Sequence, residues 1–325
     1  MKICISHLSA LEYYCAPRIS REAYVDRRER LVDAARTSRL AGFGAVTKRE
    51  AQQLLPGLGV YEQPYHVLRD GKGSRHNNIV RHTAGRDIPA SALVRVSKGF
   101  LVSSPELVFI QMAGMLDEVR LIKAGYELSA TYGFVSDSED CLEAVYDLPP
   151  LTDVIKMGDM LVKTPRRLHI SEARSALRYV SAGSASPMET ALAMLLCLPT
   201  RLGGMGFEVP RMNEEVDVGG ETRRIDLFWP GQRVGIEYMG REFHTAADVG
   251  KDDRRKNVIQ AGGMVLLNAR YEDVAAPETF ARLAQQLGNL LGRRVRIRNT
   301  RYKAANERLR HMLLGNEKPK AKRAG

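Results

Sequence analysis

Asp226 and Glu237 lie on two stretches, Arg224-Ile-Asp-Leu-Phe-Trp229 and Val234-Gly-Ile-Glu237, separated by Pro230-Gly231. Ile225, Leu227 and Trp229 alternate with Asp226 and Phe228, the period of a half-buried strand, and Pro-Gly turns the chain back into a second strand. A two-residue loop at Gly231-Gln232 sets Asp226 opposite Glu237, with their Cβ atoms about 5 Å apart. Opposed like charges destabilise a hairpin unless one is protonated or a cation lies between them. A bulge or a longer loop would shift that register by one. The pattern points to a divalent cation held by hard oxygen ligands, Mg²⁺ or Mn²⁺, able to activate water and to neutralise charge on a phosphodiester. Two further residues fit such a site. Glu189 stands in a Ser186-Pro-Met-Glu189 helix start, and His244 follows the second strand as a candidate general base or phosphate contact. Arg241, Arg254, Arg255 and Lys256 are the candidate contacts to a nucleic-acid backbone.

Each of these residues has a plainer reading. Glu189 is the third residue of an S-x-x-E capping box and can bond a backbone N–H. Arg224 shares the parity of Asp226 and can pair with it. His244 reads equally as a loop histidine, and Asp252–Lys256 as a solvated helix face.

The elements that must position these residues are a helix from Ser186, whose Ala191–Leu198 run is apolar on every face, then the hairpin, a helix over 251–262 and a strand at Met264–Leu267. Strand, helix, strand implies a parallel crossover. A further helix at Glu278–Leu291 carries Phe280, Leu283, Leu287, Leu290 and Leu291 on one face. Upstream, helices are predicted from Ser9, over Arg28–Leu40 and over Lys48–Leu55, as a lid on a sheet or as a DNA-binding unit. Short strands follow at Tyr65–Leu68, Asn78–His82, Ala92–Val96 and Phe100–Val102, then one helix carrying Leu107 through Val119 and a loop over 133–150. The small-residue run Ser181–Ser186 marks the boundary. The expected organisation is an α+β domain at 1–183, an α/β domain with a mixed sheet flanked by helices at 184–292, and a basic tail at 293–325.

With 44% hydrophobic and 27% charged residues, the 325-residue chain has a composition ordinary for a soluble globular protein. It contains no apolar run of about 18 residues and no secretory leader pattern at its start, so a cytoplasmic protein without membrane contact is expected. Cys4, Cys15, Cys141 and Cys197 fit neither a disulfide framework nor zinc spacing. His66, His76 and His82 read as scattered surface histidines. Net charge is +11, and from Arg293 onward twelve basic residues stand against two acidic ones, which suggests a polyanionic partner, DNA foremost, or a solubilising tail.

Residues 186–274 resemble the very-short-patch-repair (Vsr-like) branch of the PD-(D/E)XK endonuclease superfamily. The likeness rests on Ser186-Pro-Met-Glu189, Ile225-Asp-Leu-Phe-Trp-Pro230, Gly235-Ile-Glu-Tyr-Met-Gly240, His244, Asp253-Arg-Arg255 and Gln260-Ala-Gly-Gly-Met-Val-Leu-Leu267. It implies a restriction-endonuclease-like sheet, Asp226 and Glu237 as the metal-binding acids, Glu189 as the helix acid, and His244 as the histidine after the third strand. Met239 departs from the lysine of the superfamily's E-x-K unit, and the Vsr zinc ligands have no counterpart. Residues Phe100–Ala113 and Leu121–Leu128 resemble the antitoxin-like region of abortive-infection type IV toxin–antitoxin proteins. That likeness implies a recognition or regulatory role, with a toxin as a candidate partner. Two functions stay open: a metal-dependent endonuclease, and a DNA-binding regulator that keeps the nuclease fold as scaffold.

Overall fold

The structure, a computed structural model, describes residues 2–40, 42–43, 46–70, 74–76, 78–84, 88–136, 142–164, 169–218, 220–240, 263–295 and 300–315. The fold is mixed α/β and divides into two compact units, Met1–Val180 and Ser181–Lys318.

In the first unit, β1 (Ile3–Ile5), β2 (Arg36–Thr37), β3 (Tyr65–Asp70), β4 (Ser74–His76), β5 (Ile79–Ala84), β6 (Leu93–Ser97) and β7 (Phe100–Ser103) form one sheet in the order β2-β6-β7-β1-β3-β5-β4. The central β1 runs parallel to β7 and antiparallel to β3, while β3 and β5 run parallel. Ile3, Cys4 and Ile5 are wholly buried, as a strand covered on both faces requires. Seven helices accompany the sheet among the described residues: α1 (His7–Cys15), α2 (Arg21–Val32), α3 (Lys48–Leu54), α4 (Pro105–Met112), α5 (Glu118–Leu128), α6 (Val154–Lys163) and α7 (Ile170–Leu177).

Several boundaries differ from expectation, each for a local reason. Helix α1 starts at His7, and the Ser9 hydroxyl is not a cap but accepts the His66 backbone N–H at 2.9 Å. Helix α2 starts at Arg21 because Ser20 Oγ takes the Ala23 N–H, and beyond it the chain enters β2 in place of the helix expected to Leu40. The single helix expected through Val119 breaks after Met112, and Asp117 caps a new one by accepting the Arg120 N–H at 2.9 Å. Within the predicted loop 133–150, β8 (Gly133–Val135) pairs with β9 (Glu143–Val145). His66 and His82 are not scattered: they sit on adjacent strands beside His7.

In the second unit, α8 (Pro187–Cys197) precedes a four-stranded sheet of β10 (Arg211–Val218), β11 (Glu221–Trp229), β12 (Val234–Met239) and β13 (Val265–Arg270) in that order. The first three are antiparallel, and β13 runs parallel to β12, as a crossover connection demands. Helices α9 (Tyr271–Ala275), α10 (Pro277–Leu290) and α11 (Thr300–Leu314) follow. Among the described residues, no helix is long and apolar enough to cross a membrane.

Helix α11 corrects the expected basic tail. Its Ala305 and Leu309 are buried, Asn306 Nδ2 donates to the Gly203 carbonyl at 2.7 Å, and the Arg310 guanidinium lies 4.4 Å from the Phe280 ring while bonding the Val274 carbonyl. The charge count hid a helix with one apolar stripe, since Arg301, Lys303 and Arg308 face solvent around it. Gly203 makes this docking possible. It adopts φ 96°, and a Cβ there would come within 2.5 Å of the Ala305 carbonyl oxygen. Gly203→Ala is expected to cost at least about 2 kcal/mol and to expose 300–314 to protease, checked by thermal melting and limited proteolysis.

Candidate active site

Glu189 sits in the first turn of α8. Ser186 caps the helix by accepting the Glu189 N–H at 3.1 Å, and Pro187 presets the first helical turn. The Glu189 carboxylate is 6% exposed and its Oε2 accepts two hydrogen bonds, from the Ala185 N–H at 2.9 Å and from Asn213 Nδ2 at 2.6 Å. The plainer expectation for Glu189, a bond to a backbone N–H, therefore holds, and a second strand-borne partner joins it.

The hairpin has the expected register over its paired positions: Trp229↔Val234, Phe228↔Gly235 and Leu227↔Ile236. One more step would set Asp226 against Glu237, but the ladder stops at Leu227. There Asp226 Oδ2 itself accepts the Tyr238 N–H at 2.7 Å, replacing a main-chain carbonyl. On the other edge, the β10–β11 pairing passes over Asn213 and Asp226, between Met212↔Leu227 and Glu214↔Ile225. Asn213 has φ 49°, a left-handed conformation that asparagine tolerates better than most residues. This irregularity turns its amide onto Glu189 and the Gly183 carbonyl. The alternation read from sequence does not survive it: Ile225 and Phe228, of opposite parity, share one apolar cluster with Met264.

Glu237 is 6% exposed and Asp226 is half-buried; Asp226 lies close enough to Glu189 for its charge to act on that carboxyl, and Glu237 follows one residue beyond the end of the β11–β12 ladder. Burial pushes the Glu189 carboxyl above the ordinary glutamate range and the Asp226 charge pushes the same way, while the Ala185 N–H, Asn213 and Ser186 pull it back in part. The three acids are not contracted around a point. Among the described residues, the group whose ligand atoms all lie within 4.8 Å of one another is His7, His66 and His82 in the first unit.

The raised Glu189 value has a consequence for stability. The folded state binds this proton more tightly than the unfolded state, so the fold weakens as pH rises from the unfolded value through the folded one. Glu189→Gln is expected to raise Tm at about pH 8 and to lose that advantage near pH 4, where the unfolded glutamate is itself half-protonated. A lower Tm at both pH values would instead mean that the bonds to Ala185 and Asn213 outweigh the charge.

Met239 is half-buried and pairs in register with Arg270 of the parallel strand β13. Registered neighbours in a parallel ladder project to the same face, so Arg270, which is exposed, shares a face with the methionine, two residues along β12 from Glu237. Sequence reasoning missed Arg270 and Asn213, because pairing across a crossover and a left-handed asparagine leave no mark in a single sequence. Arg241, His244, Arg254, Arg255 and Lys256 lie outside the described residues. No protein-family model, no curated protein and no solved structure matches this chain.

Proposed function

We propose that the second unit is a divalent-cation-dependent phosphodiesterase acting on DNA. The observation that carries this reading is the approach of the buried Glu189, at a helix N-terminus, to Asp226 of the hairpin, with the 6% exposed Glu237 one residue beyond the end of the hairpin ladder on the neighbouring strand. Carboxylate oxygens are the hard ligands that such a cation takes. The donor chemistry suits Mg²⁺ or Mn²⁺: Asp226 and Glu237 would hold the ion, with Glu189 reaching it through water. Bound there, such an ion supplies Lewis acidity and lowers the pKa of water.

The chain's own residues do the rest. The Tyr238 N–H fixes the Asp226 carboxylate at the end of its ladder, and the Ala185 N–H and Asn213 fix Glu189. Arg270 takes the place of the absent lysine and stabilises charge on the phosphate. Exposed Arg293, Arg294, Arg301, Lys303 and Arg308 belong to the same unit and offer the phosphate backbone its counter-charge. On the sequence resemblance, His244 is the candidate general base or phosphate contact, and Arg241, Arg254, Arg255 and Lys256 are the candidate contacts to the nucleic-acid backbone.

A second reading rests on one observation: Asp226 and Glu189 each already accept bonds from internal donors. A DNA-binding regulator of antitoxin type would use the same scaffold without cutting. Incubating supercoiled plasmid with the protein and Mg²⁺ or Mn²⁺ tests the proposal. Nicking supports the enzyme, whereas salt-sensitive retention with no nicking supports the regulator.

A further inference from the structure

The first unit holds a cluster of a different chemistry. His66 lies on β3 and His82 on β5, and the parallel register His66↔Val80, Leu68↔His82 puts both on one face of the sheet as diagonal neighbours. His66 Nδ1 and His82 Nε2 are 2.8 Å apart. His7 follows the end of β1 that lies beside His66, where the chain turns into α1, and its ring centroid lies 3.6 Å from that of His82 with the planes at 16°. The ligand nitrogens of all three lie within 4.8 Å of one another.

The positions are fixed from behind. His7 is held at φ 49°, with its backbone N–H donated to Gln111 Oε1 at 3.0 Å, while Gln111 Nε2 donates to Ser103 Oγ at 3.2 Å. The Ser6 hydroxyl lies 3.0 Å from His7 Nδ1, which makes Nε2 the nitrogen available to a ligand. Ser9 Oγ takes the His66 backbone N–H, and His66 is 4% exposed. A hydroxyl engaging the far ring nitrogen is the arrangement that orients metal-bound histidines.

From this geometry we propose that His7, His66 and His82 form a binding site for a borderline-soft divalent transition ion of the zinc class. Three imidazoles suit Zn²⁺, Co²⁺, Ni²⁺ or Cu²⁺ and offer nothing to Mg²⁺, so the site is independent of the carboxylates of the second unit. Tetrahedral bonds of about 2.0–2.1 Å set ligand nitrogens about 3.3 Å apart, so on binding His66 and His82 part by about 0.5 Å and their rings turn to aim both lone pairs at the ion. The proton now shared between them moves to the far nitrogen of the ring that carries it, so binding releases no net proton. Burial, reinforced by the neighbouring imidazoles, holds His7 well below the ordinary histidine range, and burial lowers His82 to about 4, so both are neutral near pH 7 as ligands must be. His7 and His82 are half-buried, which leaves a fourth position on the solvent side for water or a small ligand.

Titrating ZnCl₂ into the full chain, stripped of metal, tests this by calorimetry and by melting. In Asp226→Asn, which lacks the carboxylate site proposed for the second unit, one equivalent is expected to bind and to raise Tm by about 5 °C at a hundredfold excess over Kd, with no such shift from MgCl₂. His82→Gln and His7→Asn (asparagine tolerates the left-handed φ) are expected to weaken binding by at least about 100-fold while the metal-free Tm stays within about 2 °C. His311→Gln serves as a control and should bind as the wild type does. Co²⁺ should give the intense visible bands of a tetrahedral nitrogen site in the wild type and in the control, and in neither His82→Gln nor His7→Asn. No binding to the wild type, or equal binding in His82→Gln, overturns the proposal and identifies the cluster as a stack of neutral imidazoles.

Discussion

Asp226→Asn is expected to lower divalent-dependent nicking of plasmid DNA by at least about 10³-fold with little change in Tm. Asparagine is the informative replacement because its side-chain oxygen can still accept the Tyr238 N–H that Asp226 Oδ2 accepts at 2.7 Å. The fold keeps its contact and the site loses a charged oxygen. Glu237→Gln should act in the same way from the neighbouring strand. Calorimetric titration with Mn²⁺ then separates two kinds of loss. Asp226→Asn and Glu237→Gln should abolish the binding heat. Arg270→Met, at the residue registered with Met239, should keep the heat and lower nicking about 100-fold. Undiminished nicking by Asp226→Asn, or a wild type that retains DNA without cutting it, would replace the hydrolase with the regulator.

The second large effect concerns the stability of the first unit. Glu106, 1% exposed in the first turn of α4, is met by Arg36 of β2, whose Nη1 donates at 2.8 Å and Nη2 at 3.3 Å, and by the Thr152 hydroxyl at 2.7 Å. Burial alone raises this carboxyl, but the Arg36 hydrogen bonds and charge, with the Thr152 and Ser104 hydroxyls, outweigh it and hold the value below the ordinary range. Arg36→Met leaves a buried carboxylate with its cation gone, and a loss of about 3–5 kcal/mol is expected at neutral pH. For a depressed carboxylate, the stabilisation is fully present above the unfolded value of about 4.3 and fades as pH falls through the folded value. The gap in Tm between wild type and Arg36→Met should therefore narrow on acidification, and Arg36→Met with Glu106→Gln should recover much of the loss. A gap independent of pH would mean that the guanidinium acts through packing instead.

How legible the fold was depended on the range of the interaction that fixed each element. The Ser104 and Ser186 helix starts, the Lys48 helix and the strands around Tyr65, Phe100 and Val234 follow from residues within one turn or one strand of one another, and they are where local capping and periodicity put them. The 107–119 helix failed because apolar periodicity continues through a break that Asp117 caps. The basic tail failed because charge was counted without the apolar stripe through Ala305 and Leu309. At the candidate site, the β11–β12 register was legible because a hairpin is a local structure. The interruption at Asn213 and Asp226 was not, because it depends on how three strands and a helix meet.

By itself the sequence determined the mixed α/β character, the hairpin register and the acids at its open end, since each depends on side-chain periodicity and turn chemistry within about ten residues. Only the tertiary structure decided that Asn213 clasps Glu189, that Arg270 stands beside Met239, that residues 300–314 dock as a helix, and that His7 joins His66 and His82. The physical reason is common to all four. They are contacts between segments distant in the chain, brought together by burial of apolar surface, which leaves the polar partners to be set by the fold and not by their spacing in sequence.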